Sequence, residues 1–401
     1  MLVDVRPLRV GAFRRLWAAG IVTGLGAQFT AVVVPLQLYG FTESSAYVGL
    51  AGLVGFVPMA AAALWGGALA DVRDRRRVLL VTTAGIGVTS LLLWANPRSV
   101  GLLLALIAVQ QALFGANAAV GRAVVPRLVP PESLTAANAL QSTVVLSAGI
   151  AGPLLASVLL PVVGAPTLYL ADAVAVGATV WAVWRLPPLP PDGGGPRKRA
   201  GVREIADGFR FVARRQVLRV VYLADFAALF LGLPTALFPQ LAAERFQPSD
   251  IGVLYAAASA GGVLAGLFSG AFTGLRRHGL AIAASVGVWG LAIAGFGLSG
   301  SLVMACAWLL LAGAALLTLG VFRRTVLQSA VPDGMRGRLQ GIDTVVAAGG
   351  PRLGDLAHGM AGAAVGATGA VVAGGLLTVT AALALFLLFP AFRHHRTDTV
   401  V

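Results

Sequence analysis

Apolar residues in this chain come in long blocks rather than alternating with polar ones. Charged residues, Pro and Gly punctuate the blocks. Twelve blocks run at 16–40, 46–70, 78–95, 100–124, 135–159, 164–185, 217–241, 251–274, 279–298, 302–322, 339–362 and 368–390. Each is close to the roughly 20 residues a helix needs to cross the hydrocarbon core of a bilayer. Blocks of this length predict membrane-spanning helices, because a backbone in lipid must satisfy its own hydrogen bonds. One polar stretch, 187–215, divides six spans from six. It opens with Pro187, Pro188, Pro190 and Pro191, passes through Gly193–Gly195 and ends in basic residues, the composition of a linker. Within it Val202, Ile205, Phe209 and Val212 recur at helical spacing, which predicts a short amphipathic helix at the cytoplasmic surface. The predicted domains are therefore 1–186 and 216–401, each a six-helix bundle, joined by the 187–215 linker.

Composition sharpens this. Apolar residues make up 58% of the chain and charged residues 11%, against about 25% charged in a soluble domain. Too few polar groups are present to cover a water-facing surface, which excludes a soluble enzyme, a disordered tail protein and a coiled coil. A net charge of +14 would suggest nucleic acid in a soluble protein. Its placement says otherwise. Of the 30 Lys and Arg, 26 fall on the side of the membrane that carries the amino terminus and 2, Arg98 and Arg245, on the other; Arg122 and Arg352 fall inside spans. This asymmetry puts both termini in the cytoplasm and leaves no need for a nucleic-acid partner. Cys306 has no second cysteine, and His278, His358, His394 and His395 are scattered, so neither a disulfide nor a metal cluster is expected. A Walker A pattern is absent and no cofactor is expected. The basic first 15 residues lead into an apolar run too long for a signal-peptide core, so no cleavable signal is expected.

The halves repeat. Arg122–Pro130 (RAVVPRLVP) is echoed by Arg324–Pro332 (RTVLQSAVP), 202 residues on. Near the same shift, Gly67–Asp71 (GALAD) matches Gly270–Gly274 (GAFTG), with arginines just behind both. A parallel duplication of six spans is the plan of one large class of transporters. Between the second and third spans, Gly66–Arg77 reads GGALADVRDRRR. This resembles the signature of the major facilitator superfamily at Gly67, Leu69, Asp71, Arg75 and Arg76, with Asp74 where that family usually has Gly. Phe13–Trp17 (FRRLW), Val129–Glu132 (VPPE), Ala137–Leu140 (ANAL), Leu170–Ala173 (LADA) and Arg336–Gly341 (RGRLQG) are similar to the branch holding enterobactin exporters and macrolide efflux proteins. The resemblance implies an all-α integral membrane protein. Its twelve transmembrane helices would form two six-helix bundles with pseudo-two-fold symmetry. It also implies export by alternating access, and a conformational latch at Gly67, Asp71, Arg75 and Arg76 that joins the halves on the cytoplasmic side.

Ionisable groups inside spans are the site candidates, since each costs about 2.5–3.5 kcal/mol on insertion scales unless paired or wetted. They are Arg122, Asp172, Asp225, Asp343, Arg352 and Asp355, with His358 as a titratable neighbour. Asp225 has no arginine at its depth in its own span, which makes it the expected proton or cation site. Arg352 and Asp355 are three apart on one helical face and are expected to pair as a brace. Gly349-Gly350-Pro351 just before them weakens the helix. Asp172 reads as a helix-packing residue, and Arg122 as one that snorkels to the surface. The first span has no acid, and Gln28 and Gln37 are its candidate cavity donors. The expected partners are a small organic substrate, a siderophore or a lipophilic drug, together with the proton and the lipid bilayer; the chain is expected to act as a monomer. A general multidrug or macrolide antiporter is the nearest alternative. A channel would lack the two-half repeat, and a membrane enzyme would show a nucleophile–base or metal constellation.

Overall fold

A computed structural model describes residues 4–70, 72–96, 99–190, 210–268, 270, 277–330 and 345–393. The described residues form helices and turns, without strands. The helices are α1 (Gly11–Thr42), α2 (Ser45–Ala70), α3 (Arg75–Trp94), α4 (Val100–Leu128), α5 (Leu134–Trp184), α6 (Gln216–Leu231), α7 (Phe238–Arg245), α8 (Ile251–Leu267), α9 (His278–Gly297), α10 (Leu302–Ala330), α11 (Gly350–Val365) and α12 (Ala367–Leu388). Among the described residues, ten segments are long and apolar enough to cross a membrane. One of these, Pro131–Trp184, is 54 residues long. It breaks at Gly164 (φ 76°, ψ 163°), a conformation glycine adopts without strain, between Pro161 and Pro166. Against the expected twelve spans, this segment has two arms on either side of the break, and α11 has a described part of 16 residues, too short for the same measure. Leu64, Trp65 and Val303 are about four-fifths exposed, as side chains facing lipid tails should be.

Two elements depart from the predicted spans. The block 217–241 is three pieces: α6, a 3₁₀ turn Thr235–Leu237, and α7. Gly232 and Pro234 interrupt it, because Gly weakens a helix and Pro lacks the N–H that would continue one. The block 302–322 runs on to Ala330, so Arg323 lies within α10 and not in the loop where its charge was counted. Of the predicted amphipathic helix, 210–214 is helical; 202–209 lies outside the described residues.

The chain divides into two compact units. Unit 1 is Met1–Glu43, Leu53–Pro196 and Ile251–Ala256; unit 2 is Ser44–Gly52, Arg197–Asp250 and Ala257–Val401. In unit 1, α1 and α3 pack on α5. A buried cluster built on Phe13, Val124, Leu140, Val183 and Leu189 closes one end of it. In unit 2, α9 packs on α10 and α12, and α11 on α6 and α12. The duplication is visible in close approaches inside each unit. A Cβ on Gly252 would strike the Pro153 carbonyl in unit 1, and a Cβ on Gly49 would strike the Asp355 carbonyl in unit 2. Gly49 and Gly252 are 203 residues apart, Pro153 and Asp355 are 202, the offset of the sequence echoes.

Candidate functional site

In unit 1, charge is absorbed by hydroxyls. Asp172 is buried on the second arm of α5, and its Oδ2 accepts from Ser90 Oγ at 2.8 Å and Thr30 Oγ1 at 3.0 Å. Gln110 Nε2 extends the chain, donating to Ser90 Oγ at 3.0 Å. Gly26 leaves room for the carboxylate: a Cβ there would lie 2.6 Å from Oδ1. Asp172 thus ties α1, α3 and α5 together, the packing role read from the sequence. Gln37 accepts from the Tyr169 hydroxyl at 2.7 Å, and Gln28 packs over Gly152. Both are half-buried. Arg122 is exposed on α4.

The arginine-rich end of unit 1 grips the exit of α5. Arg76 donates to the Trp184 carbonyl, Arg15 to the Arg185 carbonyl at 3.3 Å and Arg127 to the Pro190 carbonyl at 3.0 Å. These oxygens lie at or just past a helix C-terminus, where the carbonyls lack intrahelical partners and attract cations. Asp74 caps α3, accepting from Arg76 N at 2.9 Å, and also accepts from Leu189 N at 3.3 Å; Arg75 N donates to the Leu189 carbonyl at 3.0 Å. Asp74 therefore has a use of its own at the position where the family signature has glycine. Of the four residues expected to form a latch, Arg75 and Arg76 sit in this grip, Gly67 is on α2, and Asp71 lies outside the described residues.

In unit 2, Asp225 of α6 is not without an arginine. Arg323 Nη1 of α10 lies 2.8 Å from its Oδ2, with both side chains buried. The sequence reading considered only arginines of its own span; this partner comes from another helix, 98 residues away. Asp343 lies outside the described residues. On α11, Asp355 is buried. Its Oδ1 accepts from the Thr235 hydroxyl and from Ala236 N at 3.2 Å, while Arg352 Nη1 stands 3.4 Å from Oδ2 with its side chain 45% exposed. The Arg352–Asp355 pair is present, yet the 3₁₀ turn supplies the better partners. His358, one turn on, is buried; its Nδ1 lies 2.9 Å from the Gly354 carbonyl. Nearby, Ser45 Oγ donates to Gln240 Oε1, and Gln240 Nε2 to Glu244 at 2.7 Å.

Sequence reasoning missed Arg323, Thr235, Ser45 and Gln240. Only Arg323 left a readable signal: it shares a helical face with Leu319, Phe322 and Val326, all buried. Among the described residues no group of three metal-ligating side chains comes together.

Long apolar helices with Asp172, Asp225, Arg323 and Asp355 buried among them are the build of a membrane transporter of the major facilitator fold. Solved structures agree. The nucleoside transporter NupG superposes with a TM-score of 0.79 at 13% identity, over 94% of this chain and 99% of that one. A bacterial homologue of the human lysosomal transporter Spinster gives 0.75 at 19%, over 99% and 100%. Residues 3–399 match the transmembrane secretion effector family, and the chain belongs to it. The enterobactin exporter EntS of Escherichia coli (strain K12) is 28% identical over 391 residues, 96% of this chain and 93% of that one. The enterobactin exporter EntS of Citrobacter koseri gives the same identity and coverage. These relatives and neighbours are transporters, and the chain is a transporter rather than an enzyme.

Proposed function

We propose that this chain exports a small organic molecule, a siderophore or a lipophilic drug, across the cytoplasmic membrane by alternating access driven by the proton gradient. The observation that carries this reading is the match of residues 3–399 to the transmembrane secretion effector family. The 28% identity to enterobactin exporters over 96% of the chain supports a siderophore as cargo. Buried carboxylates at Asp172, Asp225 and Asp355 support an interior that handles polar or charged species. The test is uptake into inverted proteoliposomes acidified inside, offered enterobactin, a macrolide and a lipophilic cationic dye. Uptake of enterobactin that collapses with a protonophore is the expected result. Uptake of the dye and macrolide alone would favour a general multidrug antiporter.

Orientation follows from the loop charges. In a Cys306→Ser background, Gly194→Cys is expected to resist an impermeant thiol reagent added to intact cells, and Glu43→Cys to react. The opposite pattern would invert the topology.

A latch at Gly67, Asp71, Arg75 and Arg76 fits the same reading. Arg76 is committed to the Trp184 carbonyl and the Arg75 backbone to Leu189, so the acid is the informative member to change. Asp71→Asn is expected to slow transport about tenfold, a loss of about 1.4 kcal/mol, with unchanged membrane yield. An unaltered rate would remove Asp71 from the cycle.

A further inference from the structure

Both units close their last long helix in a similar way. In unit 1 that helix is the second arm of α5, which ends at Trp184 with Arg185 as its cap. In unit 2 it is α12, which ends at Leu388 with Phe389 as its cap. An arginine near the start of the unit's own α1 or α6 meets each cap. Arg15 of α1 donates to the Arg185 carbonyl at 3.3 Å. Arg219 of α6 has its guanidinium carbon 5.7 Å from the centre of the Phe389 ring. Arg15 and Arg219 are 204 residues apart, and so are Arg185 and Phe389, close to the shift of the sequence echoes.

At both ends a guanidinium also lies against aromatic rings. The Arg185 guanidinium carbon is 5.3 Å from the centre of the Trp184 ring and 5.8 Å from that of Trp181. Arg393, on the short helix Pro390–Arg393, stands 6.0 Å from the Phe386 ring. These are cation–π distances. In each unit the two rings are three residues apart and so share a helical face. Arg219 and Arg393 thus serve neighbouring rings at the end of α12. The surroundings are apolar and open: Trp181 and Trp184 are half exposed, and Leu387 and Leu388 mostly exposed.

The unpaired carbonyls of a helix C-terminus attract cations, and that accounts for Arg15. It does not account for Arg185 or Arg219. The Arg185 side chain makes no hydrogen bond among the described residues, and that of Arg219 makes a long one, 3.4 Å to the Ala213 carbonyl. Neither has a carboxylate within ion-pair distance among the described residues, and both are exposed. A ring offers a cation its face and no lone pair, so most of the five N–H donors of each guanidinium stay open. Such donors fit an oxyanion, carboxylate or phosphate, taken by two N–H groups at once. The neighbours choose between these. Indole rings and exposed leucines beside a guanidinium match the headgroup layer of a bilayer, where the oxyanion is a lipid phosphate. The two units reach this pairing with different residues, tryptophans and a cap arginine in one, phenylalanines and flanking arginines in the other.

We propose that each unit carries, where this helix ends, a binding site for the phosphate of an anionic phospholipid. In unit 1 Arg185 donates to the phosphate, and Trp181 and Trp184 hold its guanidinium in place. In unit 2 Arg219 and Arg393 donate, and Leu387 and Leu388 meet the acyl chains. The proposal does not depend on which cargo the chain carries.

Native mass spectrometry of the full chain in detergent, titrated with phosphatidylglycerol or phosphatidylcholine, tests it. The unaltered chain is expected to retain two molecules of phosphatidylglycerol and to bind phosphatidylcholine at least about fivefold more weakly, the effect of one basic side chain on an anionic headgroup. Arg185→Gln and Arg219→Gln are each expected to weaken one of the two binding steps about fivefold, and the double variant both. Arg324→Gln removes the same charge from an exposed position on α10 and is expected to change neither. Equal binding of the two lipids by the unaltered chain overturns the proposal, and this comparison needs no variant to fold. An equal loss in Arg324→Gln means that net charge is read and not a site, and also overturns it. Glycerophosphate at millimolar concentration is expected to leave both lipids bound; displacement by it would make the ligand a free phosphate and overturn the lipid assignment. Enterobactin uptake is a separate readout, so failure of the exporter reading leaves the lipid result standing.

Discussion

Asp225→Asn is expected to lower stability by about 3–5 kcal/mol, the loss that follows when one partner of a buried ion pair is removed. The substitution leaves the Arg323 guanidinium buried beside a neutral amide instead of the carboxylate 2.8 Å away. Water cannot reach in to replace it, since both side chains are more than nine-tenths buried. Arg323→Gln is expected to cost a similar amount, by stranding the carboxylate. The double variant Asp225→Asn, Arg323→Gln is expected to be more stable than the sum of the singles predicts, because neither charge is then left behind. Thermal unfolding of the detergent-solubilised protein, with light scattering to count monodisperse material, measures all three. A stable Asp225→Asn would mean that the Arg323–Asp225 pair does not hold the fold.

Most of the helical plan was legible because each block is long, continuous and bounded. The blocks 46–70 and 100–124 became α2 and α4, and the gap at 160–163 became the break at Gly164. The interruption inside 217–241 was also visible, as Gly232-Leu233-Pro234, yet an apolar block read for its length hides a short break. Arg323 was assigned to a loop because positive charge was taken to mark the membrane edge. The face made by Leu319, Phe322 and Val326 was the stronger signal there. Partners across helices were not legible. Asp172 meets Thr30 and Ser90 over 142 and 82 residues. No periodicity connects such residues; only packing does. His358 was legible as a titratable group, but its burial against Gly374 was not.

Asp355 and Arg352 were expected to brace each other, and the geometry gives them unequal parts. Asp355→Ala is expected to cost about 2–3 kcal/mol, because the Thr235 hydroxyl and the Ala236 amide lose their acceptor in a buried place. Arg352→Ala is expected to cost less than about 1 kcal/mol: its guanidinium is 3.4 Å from Oδ2 and nearly half exposed, so solvent answers most of its charge. Asp355→Asn should fall between them, since an amide oxygen can still accept from Thr235 and Ala236. The three variants, unfolded side by side, rank the contributions. Equal losses in Arg352→Ala and Asp355→Ala would make the ion pair the brace after all. The expected ranking instead makes Asp355 the anchor of the chain where it resumes after α6. Any loosening at Asp355 then moves the Thr235 turn, and with it the end of α6.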